Sequence, residues 1–90
     1  MNIDDWRCQI DEIDLQLLDL LNRRAECSLA IGKLKHQMNL SIASPEREEE
    51  VMARAVQHNH GPLDADAIRR LFGAILEESR RLQAQAAEGE

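Results

Sequence analysis

Residues 4–38 read DDWRCQIDEIDLQLLDLLNRRAECSLAIGKLKHQM, with no proline and with the first glycine only at Gly32. Apolar side chains recur in and just before this segment at alternating steps of three and four residues. The row consists of Ile3, Trp6, Ile10, Ile13, Leu17, Leu20, Cys27, Ile31, Leu34 and Met38. Such a 3.5-residue repeat is typical of a helix that packs along its length on other helices. The row has one break, at Arg24, where a charged residue stands in an apolar position.

A helix over this segment is too long for a single compact chain of 90 residues. At 1.5 Å per residue it spans on the order of 50 Å, whereas a compact domain of this size has a radius of gyration near ~12 Å. So short a chain also buries only roughly 60 to 65% of its unfolded surface. Part of the helix must therefore extend beyond its own domain, and a second copy of the chain is the simplest way to bury it. The sequence thus predicts a homodimer with intertwined long helices.

A short second helix follows a connector at Asn39–Ala43. Ser44 has the residue type of an N-cap, and Pro45 that of a first helical position. The helix is predicted to run from Pro45 to about Gln57. The sequence HNHGP at residues 58–62 then ends it, since glycine accepts positive φ and proline cannot continue a helix.

A third helix is predicted from about Ala65 to Ala86, with Asp64 as its cap and a frayed tail from Ala86 to Glu90. Its inward face is expected to turn polar toward the C-terminal end. That face consists of Ile68, Leu71, Phe72, Ile75, Leu76, Ser79, Leu82 and Gln83. The predicted fold class is therefore all-α, with one domain over residues 1–90 built from a long, a short and a medium helix that form an intertwined helical-bundle homodimer.

Composition and charge exclude several classes of partner. A formal net charge of −6 and only 2% aromatic residues argue against nucleic acid, which needs basic side chains and stacking surfaces. No run of apolar residues approaches the ~18 that a membrane span requires. The N-terminus lacks a basic region followed by an apolar one, so it does not resemble a secretory signal, and a cytoplasmic location is the expected default.

No standard cofactor or metal motif is present. The chain has no glycine-rich phosphate loop and no Cys-x-x-Cys, and Cys8 and Cys27 lie too far apart on one helix to pair, so they are interpreted as free thiols or small core residues. His58 and His60 belong to a predicted turn and have no third ligand at a recognisable spacing. We expect neither a metal nor a cofactor.

Arg24 is the first candidate for chemistry, because an unpaired guanidinium is costly to bury and needs an anionic partner. Lys35 lies eleven residues further on, about 20° around the helix and ~16 Å along it, so both side chains can lean toward one ligand. A small dicarboxylate fits such a gap. The alternative is an internal salt bridge from Arg24 to a carboxylate of the second or third helix.

Other polar residues add weaker signals. Ser79 and Gln83 are four residues apart and point inward together from the third helix, unless they form a surface edge. Arg47 and Glu48 lie in the first turns of the second helix, where charged residues usually face solvent. Arg7 is about 25 Å from Arg24 along the first helix, so the two cannot hold one small ligand from the same chain.

Taken together, these residues resemble the all-helical class of chorismate mutases. The similarity covers Trp6 to Gln83 and is carried by four spaced strings, "WRCQIDEIDLQLLDLLNRRAE", "IGKLKH", "SPEREEEV" and "IRRLFGAILEESRRLQ". The resemblance implies a cofactor-free isomerase that converts chorismate to prephenate by a Claisen rearrangement in phenylalanine and tyrosine biosynthesis.

The resemblance also implies roles for individual side chains. Arg24 and Arg7 would bind substrate carboxylates, with Arg7 donated across the dimer. Lys35 and Gln83 would flank the ether oxygen of the breaking bond. Glu48 would accept from the ring hydroxyl, while Arg47 and Ser79 would help to hold the carboxylate end of the substrate.

One position departs from the family pattern, since Ser44 stands where these enzymes usually have aspartate. This puts in doubt any contact of that carboxylate with substrate or with Arg47, although Ser44 keeps its place among the candidate binding residues. Two other functions stay open. One is an isochorismate-pyruvate lyase of the same fold, and the other is a non-catalytic dimerising or regulatory helical module.

Overall fold

The computed structural model describes residues 1–88 and contains three α-helices. They are α1 (Ile3–Gln37), α2 (Pro45–His58) and α3 (Ala65–Glu88), in the predicted order of long, short and medium. No strand is present in these 88 residues. The all-α fold class is confirmed, and each helix ends within two residues of its predicted limit.

Local side-chain contacts explain where the helices begin and end. Asn2 and Asp5 form a reciprocal capping box at the start of α1. Asp64 accepts a hydrogen bond of 2.8 Å from the Ala67 backbone N–H, which confirms its predicted capping role for α3. Asn39 follows α1 with a φ of 56°, a left-handed conformation that asparagine tolerates, and it turns the chain toward α2.

Ser44 occupies the N-cap position of α2, as predicted, but its hydroxyl makes no capping hydrogen bond. The backbone carbonyl of Ser44 accepts from the Glu48 N–H at 3.0 Å, and Pro45 at the first helical position has no N–H to satisfy. The ψ of Ser44 is 68°, away from the extended backbone of an ordinary N-cap. The hydroxyl of Ser44 is therefore not engaged in capping the helix.

The molecule is a rod measuring 54 × 25 × 15 Å, with a radius of gyration of 16.1 Å. The third helix packs on both α1 and α2. All of residues 1–23 are exposed, so the N-terminal half of α1 extends beyond the part of the chain that packs. The predicted overhang of the long helix is present.

The buried interior of the single chain is small. Its buried apolar residues within the described range are Ile68, Leu76 and Ala86, and α1 contributes Ser28 and Gly32. The apolar row of α1 was expected to pack along its length, yet its members are exposed within one chain, with Trp6 at 55%. The face of α1 that meets α3 lies beside that row.

Smaller expectations were wrong. The predicted frayed tail is helical through Glu88, while Gly89 and Glu90 lie outside the described residues. Leu71 is exposed instead of facing inward. Of the two interpretations of the cysteines, the structure supports free thiols, because Cys8 and Cys27 are unpaired and exposed. His58 belongs to the last turn of α2, where its ring contacts the Arg54 carbonyl. Over residues 1–88, no helix combines the length and apolar character that crossing a membrane requires.

Candidate active site

A cavity of about 310 Å³ lies among the three helices and the connector between α1 and α2. This volume falls in the range of ~300–1,000 Å³ that is usual for small-molecule sites. Seven of the eight predicted site residues line the cavity. They are Arg24, Lys35, Ser44, Arg47, Glu48, Ser79 and Gln83.

Lys35 joins α1 to α3 and to the connector. Its ammonium donates a hydrogen bond of 3.0 Å to the Gln83 Oε1 and another of 3.0 Å to the Ile42 carbonyl. Because an ammonium has three N–H groups and accepts nothing, this contact turns the Gln83 carbonyl toward Lys35 and its NH₂ group away. One N–H of Lys35 and the amide N–H groups of Gln83 remain as donors for a ligand.

Gly32 determines how closely α3 approaches α1 beside this pair. A Cβ atom on Gly32 would lie 2.6 Å from both the Cα and the carbonyl oxygen of Gln83. Any larger residue would therefore push the Gln83 backbone away from α1. The absence of a side chain at Gly32 thus helps to bring Gln83 within reach of Lys35.

Ser79 and Ser28 form the second polar contact between α1 and α3. Their hydroxyl oxygens are 2.5 Å apart, and Ser28 is only 4% exposed. The sequence interpretation missed Ser28. Its spacing of four residues from Gly32 was an available signal, because two small residues one turn apart allow another helix to approach closely.

Arg24 lines the cavity and is half-buried, whereas Arg23 is exposed and lies 3.9 Å from Asp19. The structure therefore places in the cavity the arginine that interrupts the apolar row, Arg24, and not its neighbour Arg23. The alternative of an internal salt bridge has no support among residues 1–88, since none of their ion pairs includes Arg24. Its charge is available to a ligand.

The neighbouring charged residues Arg47 and Glu48 of α2 pair with other residues and not with each other. Arg47 donates to Glu50 at 2.5 Å, while Glu48 accepts from Arg80 of α3. Arg80 also lines the cavity, and the sequence interpretation missed it. Arg80 lies four residues after Leu76 and three before Gln83, so helical spacing alone could have placed it beside both.

Arg7 lies outside the cavity of its own chain. Its side chain is 72% exposed, and its charged partner is Asp4, 3.9 Å away in the first turn of α1. Helix geometry puts it roughly 25 Å from Arg24. The structure of one chain therefore does not bring Arg7 together with the other predicted site residues.

The cavity is strongly cationic in an acidic chain. Four cations line it, namely Arg24, Lys35, Arg47 and Arg80, against the single carboxylate of Glu48. Apolar side chains such as Ile31, Val51 and Leu76 fill the remaining wall. Such a site can bind a dianion, hold an apolar ring and donate hydrogen bonds to an oxygen that becomes negative. Residues 1–88 contain no cluster of histidine, cysteine or carboxylate ligands suited to a metal ion.

Comparisons with known proteins match nearly the whole chain. The family model for chorismate mutase type II matches residues 6–84. Over 72 residues, or 80% of this chain, the sequence is 42% identical to the bifunctional chorismate mutase/prephenate dehydratase of Neisseria gonorrhoeae. That match covers 19% of the relative, so the chain spans about a fifth of the length of this bifunctional protein.

Two solved structures are similar over almost all of both chains. Chorismate mutase (Form II) from Thermus thermophilus superposes with a TM-score of 0.89 at 33% identity, covering 91% of this chain and 93% of that one. Chorismate mutase from Helicobacter pylori in complex with prephenate gives a TM-score of 0.86 at 29% identity, covering 96% and 93%.

Proposed function

The chain belongs to the chorismate mutase type II family, and on that premise we propose that it converts chorismate to prephenate in the cavity between its helices. The observation that carries the proposal is the hydrogen-bonded pair of Lys35 and Gln83, 3.0 Å apart in a cavity that also holds Arg24. A structural relative bound to prephenate supports the choice of product. Residues 1–90 then act as one chorismate mutase domain of the aromatic amino-acid pathway.

The chemistry suits this set of residues. In the Claisen rearrangement an ether C–O bond of chorismate breaks while a C–C bond forms within the same molecule. No proton, electron or group is exchanged with the protein, so the reaction needs neither a nucleophile nor a general base. The protein contributes by selecting a compact conformer of the substrate and by stabilising the charge of the transition state.

Lys35 and Gln83 are the proposed donors to the ether oxygen. Negative charge builds on that oxygen as the C–O bond breaks, and donors already in place stabilise it without reorganisation. Lys35 supplies its remaining N–H, and Gln83 supplies an amide N–H whose direction follows from the contact of its carbonyl with Lys35. Both groups therefore bind the transition state better than the substrate.

The remaining cavity residues are proposed to hold the substrate. Arg24 binds one carboxylate, while Arg47, Ser79 and Ser44, which also line the cavity, help to hold the substrate. Glu48 accepts a hydrogen bond from the ring hydroxyl. The half-burial of Arg24 without an ion-pair partner among residues 1–88 supports its assignment to an anionic ligand.

We further propose that two chains form an intertwined dimer. The single chain exposes 7171 Å². A compact monomer of this mass exposes roughly 5,300 Å², and stable partners bury about 800 Å² each. The excess surface is concentrated on α1, where the apolar row is exposed. A second α1 along this face brings Arg7 of one chain toward the cavity of the other, where it binds the second substrate carboxylate.

Purified protein mixed with chorismate tests the proposed reaction. Loss of chorismate and appearance of prephenate are expected. In a separate incubation with isochorismate, no release of pyruvate is expected. Arg24→Ala should lower kcat/KM by on the order of 10² or more, because a substrate carboxylate loses its charged partner. Arg23→Ala is the matched control and should keep wild-type activity, since Arg23 is exposed beside Asp19. Wild-type protein that leaves chorismate unchanged would contradict the proposal.

A further inference from the structure

We propose that Arg80 is a positioning residue that holds the Glu48 carboxylate toward the cavity, ready to accept a hydrogen bond from the ring hydroxyl of the substrate. The inference rests on the proposed function, since it assigns Arg80 a part in the same site. Arg80 acts through Glu48 and does not itself touch the reacting atoms.

The Arg80–Glu48 contact differs from every other ion pair among residues 1–88. Arg80 Nη1 of α3 donates to Glu48 Oε1 of α2, whereas the other pairs join residues three or four apart on one helix. The Glu48 side chain is 27% exposed and the Arg80 side chain 43%. Because the pair is sheltered and links two helices, it orients its members better than a surface pair does.

Glu48 keeps one oxygen for a ligand. Its Oε1 accepts from Arg80, and within the described part of the chain its Oε2 has no hydrogen-bond partner. A carboxylate held through one oxygen by a guanidinium presents the other in a defined direction. This is the arrangement that a hydroxyl of a bound substrate requires.

The Arg80–Glu48 pair also lies between the active-site cavity and a second groove. Glu48 and Arg80 line the active-site cavity, and both also line a neighbouring groove of about 460 Å³ that is formed by residues of α2 and α3. A Glu48 side chain without Arg80 has room to turn into that groove. Arg47, the cation next to Glu48 in sequence, donates to Glu50 instead and does not replace Arg80.

Replacement of Arg80 tests this role in the full chain with chorismate as substrate. Arg80→Met keeps the aliphatic stem and removes the donor, so kcat/KM should fall about tenfold, the size expected for a lost charged hydrogen bond. Arg80→Lys should recover most of the loss because an ammonium can still hold the carboxylate. The matched control is Arg81→Met, since Arg81 pairs with Glu77 and Glu78 on its own helix. This control should retain wild-type activity.

A double-mutant cycle separates positioning from other roles. In a Glu48→Gln background the further change Arg80→Met should cost little, because the carboxylate that Arg80 orients is gone. An equal tenfold loss in both backgrounds would overturn the inference, as would wild-type activity of Arg80→Met. If the wild-type protein and Arg81→Met both fail to convert chorismate, the proposed reaction itself is contradicted. This result differs from a failure of the Arg80 inference alone, in which the wild-type protein is active.

Discussion

Lys35 and Gln83 show how two ordinary side chains can form a pair of aligned donors. Lysine has only donors, so its contact with glutamine can be made only through the amide oxygen. The 3.0 Å hydrogen bond between them therefore orients the Gln83 NH₂ group without any third partner. The Ile42 carbonyl holds Lys35 from the connector at the same distance.

Gln83→Glu should make the reaction pH-dependent. A protonated carboxyl at this position can still donate to the ether oxygen, but an ionised one repels the negative charge that develops there. The rate should therefore fall as pH rises through the pKa of the introduced carboxyl. The measurement is kcat/KM against pH. Gln85→Glu, at an exposed position one half-turn further on, is the control and should follow the wild-type profile.

A rate for Gln83→Glu that equals the wild-type rate at every pH would remove Gln83 from the reaction. In that case Lys35 would be the sole donor to the ether oxygen.

Individual site residues could be predicted where the sequence pattern of a single helix identified them. Arg24 stood out because it interrupts the apolar row of α1, and Lys35 because of its position around the same helix. Arg80 and Ser28 were missed, since their significance lies in partners on another helix, Glu48 and Ser79. The register between two helices depends on packing that a single-helix pattern does not contain.

The crossing of α1 and α3 at Gly32 links packing to chemistry. Gly32→Ala places a Cβ atom 2.6 Å from the Gln83 backbone, so α3 must shift. Overpacking of this kind costs about 1–3 kcal/mol of stability. The shift also moves Gln83 away from Lys35. The kcat should fall about tenfold or more, because the amide of Gln83 is no longer in position to donate to the ether oxygen. Thermal unfolding and chorismate turnover measure the two effects.

Gly73→Ala is the matched control for this crossing. Gly73 lies within α3, and a Cβ atom there meets nothing within 4 Å. Alanine should therefore stabilise the helix by about 0.5–1 kcal/mol and leave turnover unchanged. A Gly32→Ala variant as active as Gly73→Ala would show that the close approach has no part in catalysis.

The helices themselves followed from local sequence, but the face that α1 uses within the chain did not. Periodicity, Asp64 and Pro45 located the elements to within two residues. The conspicuous apolar row then suggested that α1 packs through it, whereas the buried residues on α1 are Ser28 and Gly32. A periodic apolar row identifies the helix face that must be buried, but it does not show whether the same chain or a second copy buries it.

At the scale of the whole molecule, a single chain has an extended shape and a small buried interior. Its shape of 54 × 25 × 15 Å leaves α1 extended, and the buried apolar residues of the described chain number only three. The cavity holds Arg24 for one substrate carboxylate, but Arg7, which is proposed to bind the other, lies outside it. The proposed second copy would account for both features, because it would cover the apolar face of α1 and bring Arg7 to the site.

Complementation between two inactive variants tests this shared site most directly. Arg7→Ala and Arg24→Ala should each be nearly inactive alone. Unfolded together in equal amounts and refolded, they should form mixed dimers in which one site has both arginines, so activity should recover to about a quarter of wild type. Each variant refolded alone is the control. No recovery in the mixture, or full activity of Arg7→Ala by itself, would contradict a site completed by the partner chain.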